Sequence, residues 1–190
     1  MKRTLTIGIA ILAALGLRAK GAESRQFTIC MERTVNFVIE NQARTVASGI
    51  FTSIGVKIQW HGPDKCPTEA VYVSFSSRTP ASDHPGASAY ALPYEGTHVV
   101  VFLDRVKDLA PSAVGLLLGY NMAHEITHIL EGTARHSESG IMKAHWDAKD
   151  HYQMSLGQLS FAPEDVRLIY RRLDRRESRP SASAVNARTK

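Results

Sequence analysis

His124-Glu125-Ile126-Thr127-His128 stands inside an apolar stretch that runs from Ser112 to Leu130 and is followed by Gly132. A run this apolar reads as a helix buried in its domain, and a glycine just beyond it suits the left-handed conformation that ends a helix. On such a helix, residues four apart face the same way, so both imidazoles reach one point, with Glu125 one step round. His-Glu-x-x-His on a helix is the spacing that holds a metal ion and leaves a carboxylate beside it to act as a base. With 8 His in 190 residues, an accidental match is expected about 2 times in 100. The alternative is two ordinary core histidines with a chance neighbour. It would bury three polar side chains on an apolar helix without a shared task, which is costly.

A catalytic zinc site takes three protein ligands and keeps a fourth position for water. The helix provides two, so the third comes from chain that turns back. Gly132 permits the turn and His136 follows four residues later. That makes His124, His128 and His136 the candidate ligands of Zn2+ and Glu125 the candidate general base. His145 is the alternative third ligand, and otherwise a pocket wall or a neighbour of the ligands. Glu138 is set aside as a carboxylate ligand, because Ser139-Gly140 argues against the further helix that would carry one. Such a metal lowers the pKa of its water and polarises a carbonyl while the carboxylate takes the proton. This is chemistry for hydrolysing a peptide bond without a covalent intermediate.

Working outward, Ala43, Val46, Ala47, Ile50, Phe51 and Ile54 recur at helical spacing between Glu40 and Gly55, an amphipathic helix that Gly55 ends. Val56, Ile58 and Trp60 then alternate with polar residues, as do Val71, Val73 and Phe75, the period of half-buried strands. Thr97 to Leu103 is a third, nearly continuous β-branched and aromatic run. These predict a sheet with a helix on one face. Thr79 to Gly96 is rich in Pro, Gly, Ser and Asp and reads as a long loop, with a short edge strand around Ala89 to Leu92, bordering a substrate groove. Pro163-Glu164-Asp165 opens a last helix through Leu173, with acids at its positive end and arginines at its negative end. No internal repeat is visible.

The chain begins Met1-Lys2-Arg3, continues in an apolar run from Leu5 to Leu17 and reaches small residues around Gly21. That order is a secretory signal peptide, too short to span a bilayer; the alternative is an uncleaved anchor, since Arg18 and Lys20 crowd the cleavage region. We therefore divide the chain into residues 1–21 as signal, 22–175 as zinc peptidase domain and 176–190 as a disordered basic tail. The product is expected to be secreted, to the extracellular space or the periplasm, with no stable membrane insertion. The formal charge of +5 comes from the two ends, and the part between them is net acidic. Basicity at the ends alone argues against nucleic-acid binding, which needs a basic face on the folded domain. Two cysteines, Cys30 and Cys66, suggest one disulfide in an exported protein, the alternative being two buried thiols.

His124-Glu125-x-x-His128, Gly132, His136-Ser137 and Ser139-Gly140-Ile141-Met142 together resemble the metzincin zinc endopeptidases, and among them the matrixins. The resemblance implies that Met142 belongs to a turn packed beneath the metal without ligating it. It also implies an α+β fold: a metzincin-like single domain, a twisted mostly parallel sheet with two main helices and a small C-terminal part. The family pattern places Gly three residues after the second His and the third His three beyond that. Here Glu131 and Ala134 hold those places, and the turn is two residues longer. The expected function is a monomeric, secreted zinc-dependent endopeptidase acting on protein or peptide substrates. The alternatives are a secreted zinc-binding protein without catalysis, for which Glu125 has no use, and a recognition module that binds no zinc.

Overall fold

The computed structural model describes residues 25–33, 36–92 and 95–177. The expected signal segment 1–21 lies outside the described residues, as do residues 178–190 of the expected tail.

Five strands, β1 (Arg25–Met31), β2 (Val56–His61), β3 (Val71–Ser76), β4 (Ala89–Ala91) and β5 (His98–Phe102), form one sheet in the order β2-β1-β3-β5-β4. All neighbours pair in parallel except β4, which runs antiparallel to β5 at the edge. Among the described residues five α-helices accompany them: α1 (Phe37–Ser53), α2 (Leu103–Leu109), α3 (Val114–Glu131), α4 (Ala148–Ser155) and α5 (Pro163–Glu177). The α+β reading and the mostly parallel sheet hold. The last helix runs to Glu177, so its final two residues fall within the expected tail.

Helix α1 starts three residues before the expected Glu40 because Asn36 caps it, its Oδ1 accepting from the Val38 and Ile39 amides at 3.0 and 3.2 Å. Its buried face, Ala43, Ala47, Ile50 and Phe51, packs on α3. The two helices approach so closely that a Cβ on Gly119 would meet Val46 Cβ at 2.6 Å, so only glycine fits there. Every residue of α3 from Leu117 to Leu130 is buried. Gly132 ends it at φ 70°, ψ 30°, donating its N–H to His128 O. The core continues through Phe27, Phe51 and Phe161, whose rings meet at centroid distances of 5.1 and 5.4 Å. A disulfide joins Cys30 on β1 to Cys66 in the segment after β2, as expected.

Two helices were not anticipated. α2 begins at Leu103, which the sequence pattern assigns to the preceding strand; with only Leu103 and Val106 buried, it is too short to show a helical period. α4 is fixed by a capping box in which Asp147 and Asp150 satisfy each other's backbone amides. None of the described helices is long and apolar enough to cross a membrane.

Candidate metal centre

Residues His124, Glu125 and His128 reach the floor of a cleft of about 610 Å3, lined on one side by β4 and the segment before it and on the other by His145 and Trp146. The two imidazoles are oriented from behind. His124 Nδ1 lies 2.8 Å from Ile141 O, and His128 Nδ1 lies 3.0 Å from Thr133 O. A carbonyl only accepts, so each Nδ1 carries the proton and each Nε2 keeps its lone pair. Burial holds His124 down to about 3 and His128 to about 4, so both rings are neutral at physiological pH. Their Nε2 atoms nevertheless face each other at 3.1 Å. Two lone pairs in contact with no proton between them repel, and a shared cation is what makes the arrangement favourable.

His136 completes a three-sided cluster. Its ring lies 5.3 Å from that of His124 and 5.0 Å from that of His128, and one nitrogen from each of the three falls within 4.8 Å of the others. Around a tetrahedral zinc bound at about 2.0–2.1 Å, ligand nitrogens stand roughly 3.3 Å apart. The donor set fits: three neutral imidazoles, two buried and one exposed to the cleft. Desolvation, then the neighbouring charges of His145 and Arg135, also lower the His136 pKa. His145 lines the cleft but stands outside the three-histidine cluster.

Glu125 is 8% exposed, and burial pushes its carboxyl up to about 8. Its side chain is directed to the cleft and not into a structural ion pair, so a nearby cation is what would keep it ionised. Met142 is fully buried in the core. Its carbonyl accepts from Ser137 N at 2.7 Å, and the preceding carbonyl, that of Ile141, takes both His124 Nδ1 and Trp146 Nε1. The Met142 turn thus supports the histidine cluster through its backbone.

The sequence reading missed the residues that hold the returning chain. Asp165, in the first turn of α5, is fully buried. It accepts from Arg135 Nη2 at 2.5 Å, Ser137 Oγ at 2.6 Å and Ala162 N at 3.2 Å, clasping the residues on either side of His136. In the sequence it reads only as an acid complementing the helix dipole. Asn121, one turn before Glu125, was also passed over. It is 4% exposed, and its Oδ1 accepts from Ser88 Oγ at 2.6 Å. A lone amide in an apolar helix was the available signal.

No protein-family model and no curated protein matches the chain. Its structure is similar to that of the archaemetzincin from Methanopyrus kandleri, with a TM-score of 0.55 over 80% of this chain and 98% of that one, at 13% sequence identity. The fold is metzincin-like. At that identity the likeness concerns the fold, and nothing in it singles out the matrixins. The fold places three histidines where they could hold one metal ion.

Proposed function

We propose that the chain is an exported zinc-dependent endopeptidase, with His124, His128 and His136 holding the metal and Glu125 acting as general base. The observation that carries this reading is the pair of Nε2 lone pairs facing each other at 3.1 Å on an otherwise apolar helix, with a buried carboxyl beside them at the floor of an open cleft. When bound, zinc supplies a Lewis acid for the scissile carbonyl and acidifies a water. Glu125 takes the proton from the attacking water and passes it to the leaving nitrogen. Burial suits it to this task, since a carboxylate whose pKa is raised toward neutrality both accepts and returns a proton readily.

Strand β4 supports peptide as the substrate class. It is an edge strand whose residues Ala89, Tyr90 and Ala91 line the cleft, and an extended peptide can add to such an edge through main-chain hydrogen bonds. The His136-Ser137 pair and the buried Met142 turn favour the matrixin-like variant of the fold. The disulfide and the N-terminal sequence favour export, to the extracellular space or the periplasm. A zinc-binding protein without catalysis remains the competing reading, and Glu125 separates the two.

The test is Glu125→Gln. Purified wild type should contain one zinc per chain by elemental analysis and cleave fluorescein-labelled casein. The variant should keep its zinc and lose at least about 100-fold in rate. Undiminished cleavage by the variant refutes the mechanism, and wild type that binds zinc without cleaving is the non-catalytic protein.

A further inference from the structure

The segment before β4 is a wall of the cleft at Pro85 to Ser88, yet it belongs to a stretch whose composition predicts an irregular loop. A single side chain organises it. Arg105, on α2, donates from Nη1 to His84 O and Ala87 O, both at 2.7 Å, and from Nη2 to Pro80 O at 3.0 Å and Asp83 O at 2.5 Å. Its guanidinium also lies over the Phe102 ring, 4.5 Å from the centroid. Next to it, Asp104 accepts from Thr79 N at 2.6 Å and Thr79 Oγ1 at 2.9 Å, fixing the loop's beginning. Four carbonyl oxygens converging on one point repel one another unless a cation sits among them. Here the cation is covalently part of the chain, and the planar fork distributes its donors among all four.

The other end of the wall is tied to the zinc-site helix. Ser88 O accepts from Phe102 N at 2.9 Å, and Ser88 Oγ donates to the buried Asn121 Oδ1. Asn121 in turn donates to Leu117 O within α3, one turn before Glu125. Between Arg105 and Asn121 the wall has a fixed register relative to Glu125 and the histidines. The structure assigns Arg105 as a positioning residue for substrate: it holds Pro85 to Ser88 as a preformed wall for a peptide in the cleft, without contacting the reacting atoms. This assignment rests on the peptidase reading.

Three measurements on the full zinc-loaded chain test it. First, amide hydrogen exchange in residues 80–88 should accelerate in Arg105→Ala and less in Arg105→Lys, which keeps the charge but not the fork. Chelator should leave that segment unchanged in wild type, because the Arg105 guanidinium already occupies the point where the four carbonyls converge. Second, zinc affinity should match wild type in both variants. Third, KM for fluorescein-casein should rise about 10-fold or more in Arg105→Ala, with kcat changed far less and Arg105→Lys intermediate. Unchanged exchange in Arg105→Ala overturns the assignment, as does a loosened wall with unchanged KM. A fall in zinc affinity overturns it too, since the residue would then act through the metal cluster. If wild type proves not to cleave casein, the peptidase reading fails by itself. The inference is then decided by anisotropy of a fluorescein-labelled casein peptide on zinc-loaded Glu125→Gln, where equal binding with and without the Arg105 substitution overturns it.

Discussion

Asp165→Ala is the perturbation that most directly asks whether the returning chain is built to present His136. The carboxylate is fully buried and accepts three hydrogen bonds, from Arg135, Ser137 and the Ala162 amide. A hydrogen bond to a charged group contributes about 1.5 to 3 kcal/mol. The Arg135 side chain is 35% exposed and regains water when its partner is lost, which discounts that pair. A net destabilisation of about 3 kcal/mol follows. The effect on metal is more specific, because the clasped residues flank His136. Freed from Asp165, the segment must be ordered again when zinc binds. Loss of a partner behind the ligands typically weakens metal binding about 10- to 100-fold. The assay is zinc titration against a competing chelating dye, with chemical melts of the metal-free protein beside it. Asp174→Asn on the same helix breaks the exposed pair with Arg25 and should leave zinc affinity unchanged. Wild-type zinc affinity in a folded Asp165→Ala protein would refute the reasoning, since His136 would then be held without the clasp.

His136→Ala should weaken zinc binding by two orders of magnitude or more, about the loss of one ligand in three, whereas His145→Ala should keep the metal and change turnover. The opposite result in metal analysis reassigns the third ligand to His145. Reducing the Cys30–Cys66 disulfide, which spans 36 residues, should lower stability by about 4 kcal/mol in urea melts, and an unshifted midpoint sinks that estimate. Burial raises Glu131 to about 7 from 4.5, so the folded state holds its proton more tightly than the unfolded one. Stability should fall as pH rises from about 5 to 8, and Glu131→Gln should remove roughly 2 to 3 kcal/mol of that fall. Parallel pH profiles for the two proteins would show that the carboxyl ionises in place without penalty.

What was legible in the sequence was local or periodic. His124, Glu125 and His128 declare themselves because their spacing matches one helical turn on an apolar background, and Gly132 marks the end because its backbone needs φ above zero. β2, β3 and β5 follow from alternation or β-branched runs. The missed features join distant residues: Asp165 to Arg135, Ser88 to Asn121, and Arg105 to four carbonyls. Acids in a first turn and arginines on a short helix are ordinarily solvated, and only the tertiary packing turns these inward. α2 escaped for a related reason, since two buried apolar residues in seven carry no readable period.

The two-residue lengthening of the turn has a structural account that links these observations. Relative to the family spacing, α3 continues to Glu131, and Gly132 closes it one residue later. The additional helical residue places Glu131 where its side chain is fully enclosed, with both carboxylate oxygens lacking a hydrogen bond. Ionising a carboxyl enclosed in this way is unfavourable, which is why burial raises its pKa to about 7. Arg135 Nη2, four residues on, lies 3.6 Å from Glu131 Oε2 and 2.5 Å from Asp165 Oδ1. The other additional residue lies between Gly132 and His136, where the chain leaves the helix with Thr133 O taken by His128 Nδ1 and Ser137 N tied to Met142 O. Arg135 is thus placed to answer the acid enclosed on α3. That arginine, with Ser137, binds the returning chain to α5 on both sides of His136. A longer turn would ordinarily loosen the third histidine, and in this chain the Glu131–Arg135–Asp165 line restrains it.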